Sequence, residues 1–423
     1  ALISAARAAA AARTAAQFGV NTGSVSADFS VAMDRLRRLR AELAENDSIA
    51  RLSGLGIDVF LGQARFVARD EVEVDGRRLR FTRAIIATGA RASVPSIPGL
   101  VEAGFLTNES VFSLTVLPVR LVVIGAGPIG CELAQAFRRF GSEVTLVGDG
   151  ARILPREDPD AAAVLATAFE REGIKTLLNA KVTRVDGQGG SGERRLVIEQ
   201  RGAEIVLGAD AVLVSVGRTP NVDGLDLERA GISSNPQGVI VNDQQRTANR
   251  RVFAIGDVAS RFKFTHAADA MARLAIQNAL FFGRKKASAL VIPWATYTEP
   301  EVAHVGLTAD EAAKRPDVKS FTVELAQNDR ALLDGQSEGF TRIHADKRGR
   351  ILGATMVASH AGEMIGEMSL AMTAGVRLST LGQTIHPYPT QSECWKKLGD
   401  AWSRTRVTPR VRAAFDRFLR WRR

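Results

Sequence analysis

Gly125-Ala126-Gly127-Pro128-Ile129-Gly130 sets three glycines at the spacing GxGxxG, and the chemistry this spacing supports is the binding of a diphosphate. Gly125 permits a tight turn, and Gly127 lets the backbone come close to a pyrophosphate. Gly130 lets a helix pack on a strand, with helix-terminal N–H groups facing the phosphates. Roughly 20 residues further on, where the ribose of a dinucleotide is read, stand Val147-Gly148-Asp149-Gly150. Asp149 has two readings. It accepts from a ribose 2′-hydroxyl and repels a 2′-phosphate, which tips the choice toward NAD, or it is turn chemistry beside two glycines. Arg152 close by keeps NADP open. The two cysteines, Cys131 and Cys394, form no CxxC or CxxxxC, so neither a disulfide framework nor a metal site is expected of them. Both read as buried small residues.

These residues need elements to carry them. VRLVVIGAG reads as a buried strand, PIGCELAQAFRRFG as a helix and SEVTLVG as a second strand, a βαβ unit. Residues 1 to about 52 carry Ala, Leu and Arg at helical spacing and predict two helices. From Gly56 the period shortens, and IDVFLGQARF, DEVEVDGRRLRF and RAIIATG read as strands, with Asp75 and Gly76 as a hairpin turn. Beyond the βαβ unit come a helix, AAAVLATAFEREG, a meander around KVTRVD and RRLVIEQ, and a strand, DAVLVSVG. VFAIGD and the long helix HAADAMARLAIQNALFFG follow, and from Ile292 strands and helices are mixed in an α+β pattern. The expected fold class is α/β, with two Rossmann-like dinucleotide-binding domains, the first of them incomplete, and a C-terminal α+β domain. The expected boundaries are 1–101 and 236–288 for the two parts of the first domain, 102–235 for the second, 289–402 for the α+β domain and 403–423 for a basic C-terminal helix.

The composition excludes several classes. With 45% hydrophobic and 24% charged residues over 423, the chain reads as an ordinary globular protein. No apolar run approaches the roughly 20 residues that span a bilayer. The opening ALISAARAAAAAR has neither a basic n-region nor a cleavage site, and reads as the interior of a longer protein in a reducing, cytoplasmic setting. Eight arginines from Arg404 to Arg423 against Asp416 carry +7 of the net +10, so the body is nearly neutral. That tail is expected to be a solvated helix, with no nucleic-acid partner.

The GxGxxG unit is preceded by Ile86-Ala87-Thr88-Gly89. It is followed by Val216-Gly217-Arg218-Thr219-Pro220-Asn221, by Thr247, and by Val252-Phe253-Ala254-Ile255-Gly256-Asp257. In this order the motifs resemble the pyridine nucleotide-disulfide oxidoreductases, the family of glutathione reductase, dihydrolipoyl dehydrogenase and mercuric reductase. The resemblance implies FAD and NAD(P)H as cofactors and a homodimer formed through the C-terminal domain. It places Asp257, after Gly256, on the FAD ribitol, Thr88 and Gly89 close to the flavin nucleotide, and Ala64 at the adenine. Lys263, Phe264, Thr265 and His266 would open the helix under the flavin, where N–H groups stabilise anionic charge; for His266 a structural helix-start role stands beside this. Glu132 would orient the nicotinamide, the other reading being a surface helix charge, and Val182 and Gly217 would flank the nicotinamide nucleotide.

The family's C-terminal motif is matched by His386-Pro387-Tyr388-Pro389-Thr390-Gln391-Ser392-Glu393, which would reach the partner protomer's active site. Where relatives have a His that shuttles a proton, with a Glu orienting it, this chain has Tyr388, whose phenol does not titrate near neutrality. The Tyr resembles mercuric reductase, although the chain ends in Phe418-Leu419-Arg420-Trp421-Arg422-Arg423 rather than a cysteine pair. The family's redox cysteine pair and first glycine-rich FAD motif would lie upstream of Ala1. The expectation is therefore a mercuric reductase-like enzyme passing electrons from NAD(P)H through FAD to a disulfide or thiol-bound, small-molecule acceptor, with Tyr388, His386, Glu393 and Glu132 in catalytic roles. Three alternatives stay open: a dihydrolipoyl dehydrogenase-like enzyme using His386 as base, a fragment that binds nucleotide without turnover, and nucleic-acid binding through the arginine tail.

Overall fold

The computed structural model describes residues 1–187 and 192–422. It comprises two compact units, Ala1–Asp149 with Ala180–Leu290, and Gly150–Asn179 with Val291–Arg423.

In the first unit the strand Arg120–Ile124 lies between Glu143–Val147 and Ala211–Val214, both parallel to it, with Leu121 opposite Val144 on one side and Ala211 on the other. These strands read as nearly unbroken apolar runs because a parallel sheet is covered on both faces; Leu121, Val122, Val123 and Leu146 are all buried. The helix Pro128–Phe140 leaves the end of the first strand, opens on a proline and stops at Gly141, whose φ of +119° lies in the left-handed region. Helix Leu2–Thr14 packs on it, and Phe29 sets its ring 5.7 Å from Phe137 and 5.4 Å from Phe140. A second parallel pair, Ala84–Ile86 with Val252–Ala254, feeds helix Thr265–Leu280.

The meander Ala64–Ala68, Glu71–Val74, Arg77–Arg80 turns at Asp75 and Gly76, both with positive φ, the two-residue hairpin expected at this position. Residues 57–62, expected as part of a strand, form none. Their apolar side chains Ile57, Phe60 and Leu61 are exposed, so alternation there reflected no sheet neighbour. The meander around KVTRVD and RRLVIEQ is three-stranded, Ala180–Asp186, Arg194–Gln200 and Ala203–Ala209.

The second unit is built on a five-stranded antiparallel sheet, in spatial order Pro293–Thr296, Glu301–Gly306, Ile351–Ala358, Phe340–Asp346, Val318–Glu324. Helix Ala361–Thr373 packs on its first three strands and helix Glu393–Arg404 on its last two. Trp395 and Leu398 of the latter are fully buried. It crosses helix Leu378–Gln383 so closely that a Cβ on Gly399 would meet the Gly382 nitrogen at 2.4 Å. The basic terminal helix runs Pro409–Trp421, later than the expected start, because Arg404 ends the preceding helix. Arg423 lies outside the described residues.

Candidate functional site

At the glycine turn, Gly125 has φ +113° and its N–H donates to the Val147 carbonyl across 2.8 Å. A Cβ on Gly125 would meet the Ser215 carbonyl oxygen at 2.6 Å, and one on Gly130 would meet the Gly125 carbonyl oxygen at 2.0 Å. The Ser215 hydroxyl donates to the carbonyls of Ile124 and Gly125 at 3.1 and 3.0 Å, which ties the turn to the neighbouring strand. A Cβ on Gly127 would meet nothing within 4 Å. Two glycines are thus required by the fold, while the third leaves open space above the N-terminus of a helix, a cradle that fits the diphosphate of a nicotinamide dinucleotide. Glu132 lies half-buried on that helix and Asp149 is exposed just past the second strand. Val182 is buried in the strand Ala180–Asp186, opposite Ile198.

Thr88 and Gly89 are held to Asn221 by three hydrogen bonds. The Thr88 hydroxyl donates to the Asn221 carbonyl at 2.7 Å, the Asn221 amide side chain returns a bond to the Thr88 carbonyl at 2.9 Å, and the Asn221 N–H donates to the Gly89 carbonyl at 3.0 Å. Gly89 has φ +69°. The Gly217 carbonyl accepts from the Ser93 N–H at 3.0 Å. Ala64 is exposed at the start of its strand, opposite Val74.

Gly256, at φ +68°, turns the end of the Val252–Ala254 strand toward the helix, where a Cβ would meet Ala268 Cβ at 3.1 Å. The Asp257 side chain, 12% exposed, takes the Arg218 guanidinium at 2.8 Å, and Lys263 donates to the Asp257 carbonyl at 2.9 Å. Phe264 caps the helix Thr265–Leu280, and its ring stacks on His266 at 5.4 Å. A fixed, ion-paired carboxylate beside a helix start fits hydroxyl donors such as those of ribitol, so these residues suit that end of FAD.

The second unit carries the remaining singled-out residues. Tyr388 is 70% exposed, and its hydroxyl donates to Asp329 Oδ2 at 2.8 Å. That bond, with the nearby negative charge, pushes the phenol above its ordinary pKa. His386 Nε2 lies 3.1 Å from Glu367 Oε1, with the ring almost wholly buried. Glu393 opens the helix Glu393–Arg404 and pairs with Lys397 at 3.6 Å. The three residues thus share one loop and helix start, but each has its own partner. Asp329, Glu367, Arg218 and Ser215 escaped the sequence reading: Ser215, Asp329 and Glu367 lie 90, 59 and 19 residues from the groups they serve, on other elements, and Arg218 carries no pattern that names Asp257 as its partner. Both cysteines are buried and neither is in a disulfide.

The pyridine nucleotide-disulphide oxidoreductase family matches residues 4–272, and the dimerisation domain of the same family matches residues 292–398. A mercuric reductase of Bacillus cereus is 32% identical over 378 residues, 89% of this chain and 60% of that protein. A dihydrolipoyl dehydrogenase of Thermus scotoductus is 37% identical over 352 residues, 81% of this chain and 74% of that protein. Among solved structures, the HOCl-induced flavoprotein disulfide reductase RclA of Escherichia coli superposes with a TM-score of 0.80 at 30% identity, covering 88% of this chain and 86% of its own. With a family match running over most of its length and the glycine turn, the Gly256-Asp257 corner and the dimerisation sheet all in place, the chain belongs to the pyridine nucleotide-disulphide oxidoreductase family.

Proposed function

We propose that the protein is an FAD-dependent NAD(P)H oxidoreductase of mercuric reductase type, delivering electrons to a disulfide or a thiol-bound acceptor as a homodimer in a reducing, cytoplasmic compartment. The observation that carries this reading is the pairing of two sites in the first unit: a glycine turn open only above Gly127, and a carboxylate, Asp257, fixed by Arg218 at the end of a second parallel pair. FAD, when bound, supplies two-electron chemistry between a reduced nicotinamide and the acceptor. The chain's own residues bind and orient. N–H groups of Gly127, Ile129 and Gly130 hold the dinucleotide phosphates, Glu132 sets the nicotinamide, Asp257 accepts from ribitol hydroxyls, and the backbone of Thr88 and Gly89 lines the flavin nucleotide. Donating its one O–H to Asp329, Tyr388 keeps its proton at neutral pH and meets the acceptor through the oxygen of a neutral phenol rather than as a base.

One observation favours a second reading. His386 has a carboxylate partner, Glu367, in the manner of an oriented general base, which suits a dihydrolipoyl dehydrogenase-like enzyme. The two separate by mutation. On the first reading Tyr388→Phe lowers turnover of a thiol-bound metal acceptor by about 10²-fold or more and His386→Ala changes it little. Dihydrolipoamide oxidation that survives Tyr388→Phe and is lost in His386→Ala selects the second. Anaerobic titration with NADH and NADPH tests both together: a purified protein that holds neither flavin nor nicotinamide nucleotide defeats the proposal.

A further inference from the structure

The helix Pro409–Trp421 is specified by its own sequence yet buries none of its residues. Thr408 caps it, accepting from the Val411 N–H, and Pro409 occupies its first turn. Every residue from 404 to 422 is exposed, including Val411, Phe415, Phe418, Leu419 and Trp421. At 3.6 residues per turn these apolar side chains fall on one face with Ala414, covering a little under half the circumference. Arg410 and Arg412 stand at its two borders and Arg417 and Arg420 lie toward the opposite side, while Arg422, just past the last turn, falls on the apolar face with its guanidinium 5.6 Å over the Phe418 ring. The helix starts a few residues beyond Trp402, which is buried in the second unit and stacked under Arg406 at 5.1 Å.

We propose that this helix lies in the plane of an anionic lipid surface, its Val411-Phe415-Phe418-Leu419 face buried among acyl chains and its border arginines at the phosphates. Three observations choose this occupant. The residues 409–422 hold five arginines against Asp416 alone, a charge complementary to phosphate-rich headgroups. A second copy packed parallel on this face would bring Arg410 and Arg412 against their counterparts, and an antiparallel one would bring them toward Arg422 at the other end of the face, and like-charge repulsion disfavours both. A nucleic acid answers the arginines but leaves the aromatic face in water, whereas a headgroup boundary takes Phe and Trp as readily as Arg. Arginine stems lying along the border can carry their guanidinium groups outward to the phosphates.

The test uses the full chain and vesicles. We expect flotation with equimolar phosphatidylglycerol and phosphatidylcholine vesicles but not with phosphatidylcholine alone, accompanied by a blue shift of tryptophan emission that Trp421→Phe removes. Phe415→Ser with Phe418→Ser should weaken binding at least tenfold. Arg410→Gln and Arg412→Gln should each weaken it by about fivefold, with the dependence on salt reduced in step. An unchanged thermal transition in each variant shows that the units remain folded, as expected for a helix that buries no residue. Failure to float on anionic vesicles overturns the proposal. So does flotation indifferent to the Phe substitutions, tighter binding to duplex DNA than to vesicles, or a concentration-dependent dimer abolished by the Phe variants.

Discussion

A Cβ at Gly130 would stand 2.0 Å from the Gly125 carbonyl oxygen, far inside van der Waals contact, whereas a Cβ at Gly127 would touch no protein atom within 4 Å. The same substitution therefore asks different questions at the two positions. Gly130→Ala forces backbone apart in a packed turn, costing about 1–3 kcal/mol and lowering the melting temperature together with nucleotide affinity. Gly127→Ala, at a φ of −79° that alanine adopts freely, should leave melting unchanged while NADH and NADPH binding falls at least tenfold, because the new methyl group occupies the approach of the diphosphate. Calorimetric titration beside thermal unfolding reads both; equal stability losses for the two variants would refute the assignment of Gly127 to ligand contact. These glycines were legible in the sequence because their spacing is itself the requirement of the turn. Ser215, Asp329 and Glu367 were not, since a hydroxyl or carboxylate that serves a residue 90, 59 or 19 positions away leaves no local pattern.

Among the elements of the second unit, the segment before helix Pro159–Glu172 holds a carboxyl group in the wrong solvent. Glu157 is 5% exposed and accepts from the Trp294 indole N–H at 2.7 Å. Burial pushes its carboxyl up to about 7, with the adjacent Asp158 adding to the effect. Raised above its unfolded value near 4.5, the group contributes stability that is complete below that value and is lost as pH rises through about 7. The charged groups acting on it are Asp158 and Arg156, and Asp158 in turn faces Arg342, His304 and His344, with Asp160 on the same arginine. His344 works in the opposite sense, since burial holds its imidazole down to about 4 and its contribution fails toward acid pH. The variant Glu157→Gln keeps an acceptor for Trp294 and removes the titration. Its stability relative to the parent should climb from pH 5 to 8 by on the order of 3 kcal/mol, whatever constant offset the amide introduces. Denaturant unfolding across that range decides it, and parallel pH curves would place Glu157 in water. Element type was largely readable, as the hairpin at Asp75-Gly76 and the helix at Pro128 show. The failure at residues 57–62 has a physical cause: apolar alternation reports burial on a sheet only where a neighbouring strand exists, and none pairs there.

On the scale of the whole molecule, the dimerisation-domain match over residues 292–398 and the exposure of Tyr388 on that domain bear on which protomer each site uses. If Tyr388 serves the partner, as the resemblance of its C-terminal motif implies, a complete centre joins the glycine turn of one protomer to the Tyr388 loop of the other. Mixing makes this measurable. A protomer carrying Gly127→Ala is defective at the nucleotide, one carrying Tyr388→Phe at the loop, and each homodimer is inactive at both centres. In the mixed dimer one centre combines both defects, while the other takes an intact turn from one chain and an intact Tyr388 from its partner. Random reassociation makes half the dimers mixed, so activity should recover to about a quarter of the parent's. Were Tyr388 to act within its own chain, each centre of the mixed dimer would hold one defect and mixing would restore nothing. Recovery also needs exchange of protomers, so the same preparation, followed by mass-tagged subunits, must show mixed dimers before its activity is read.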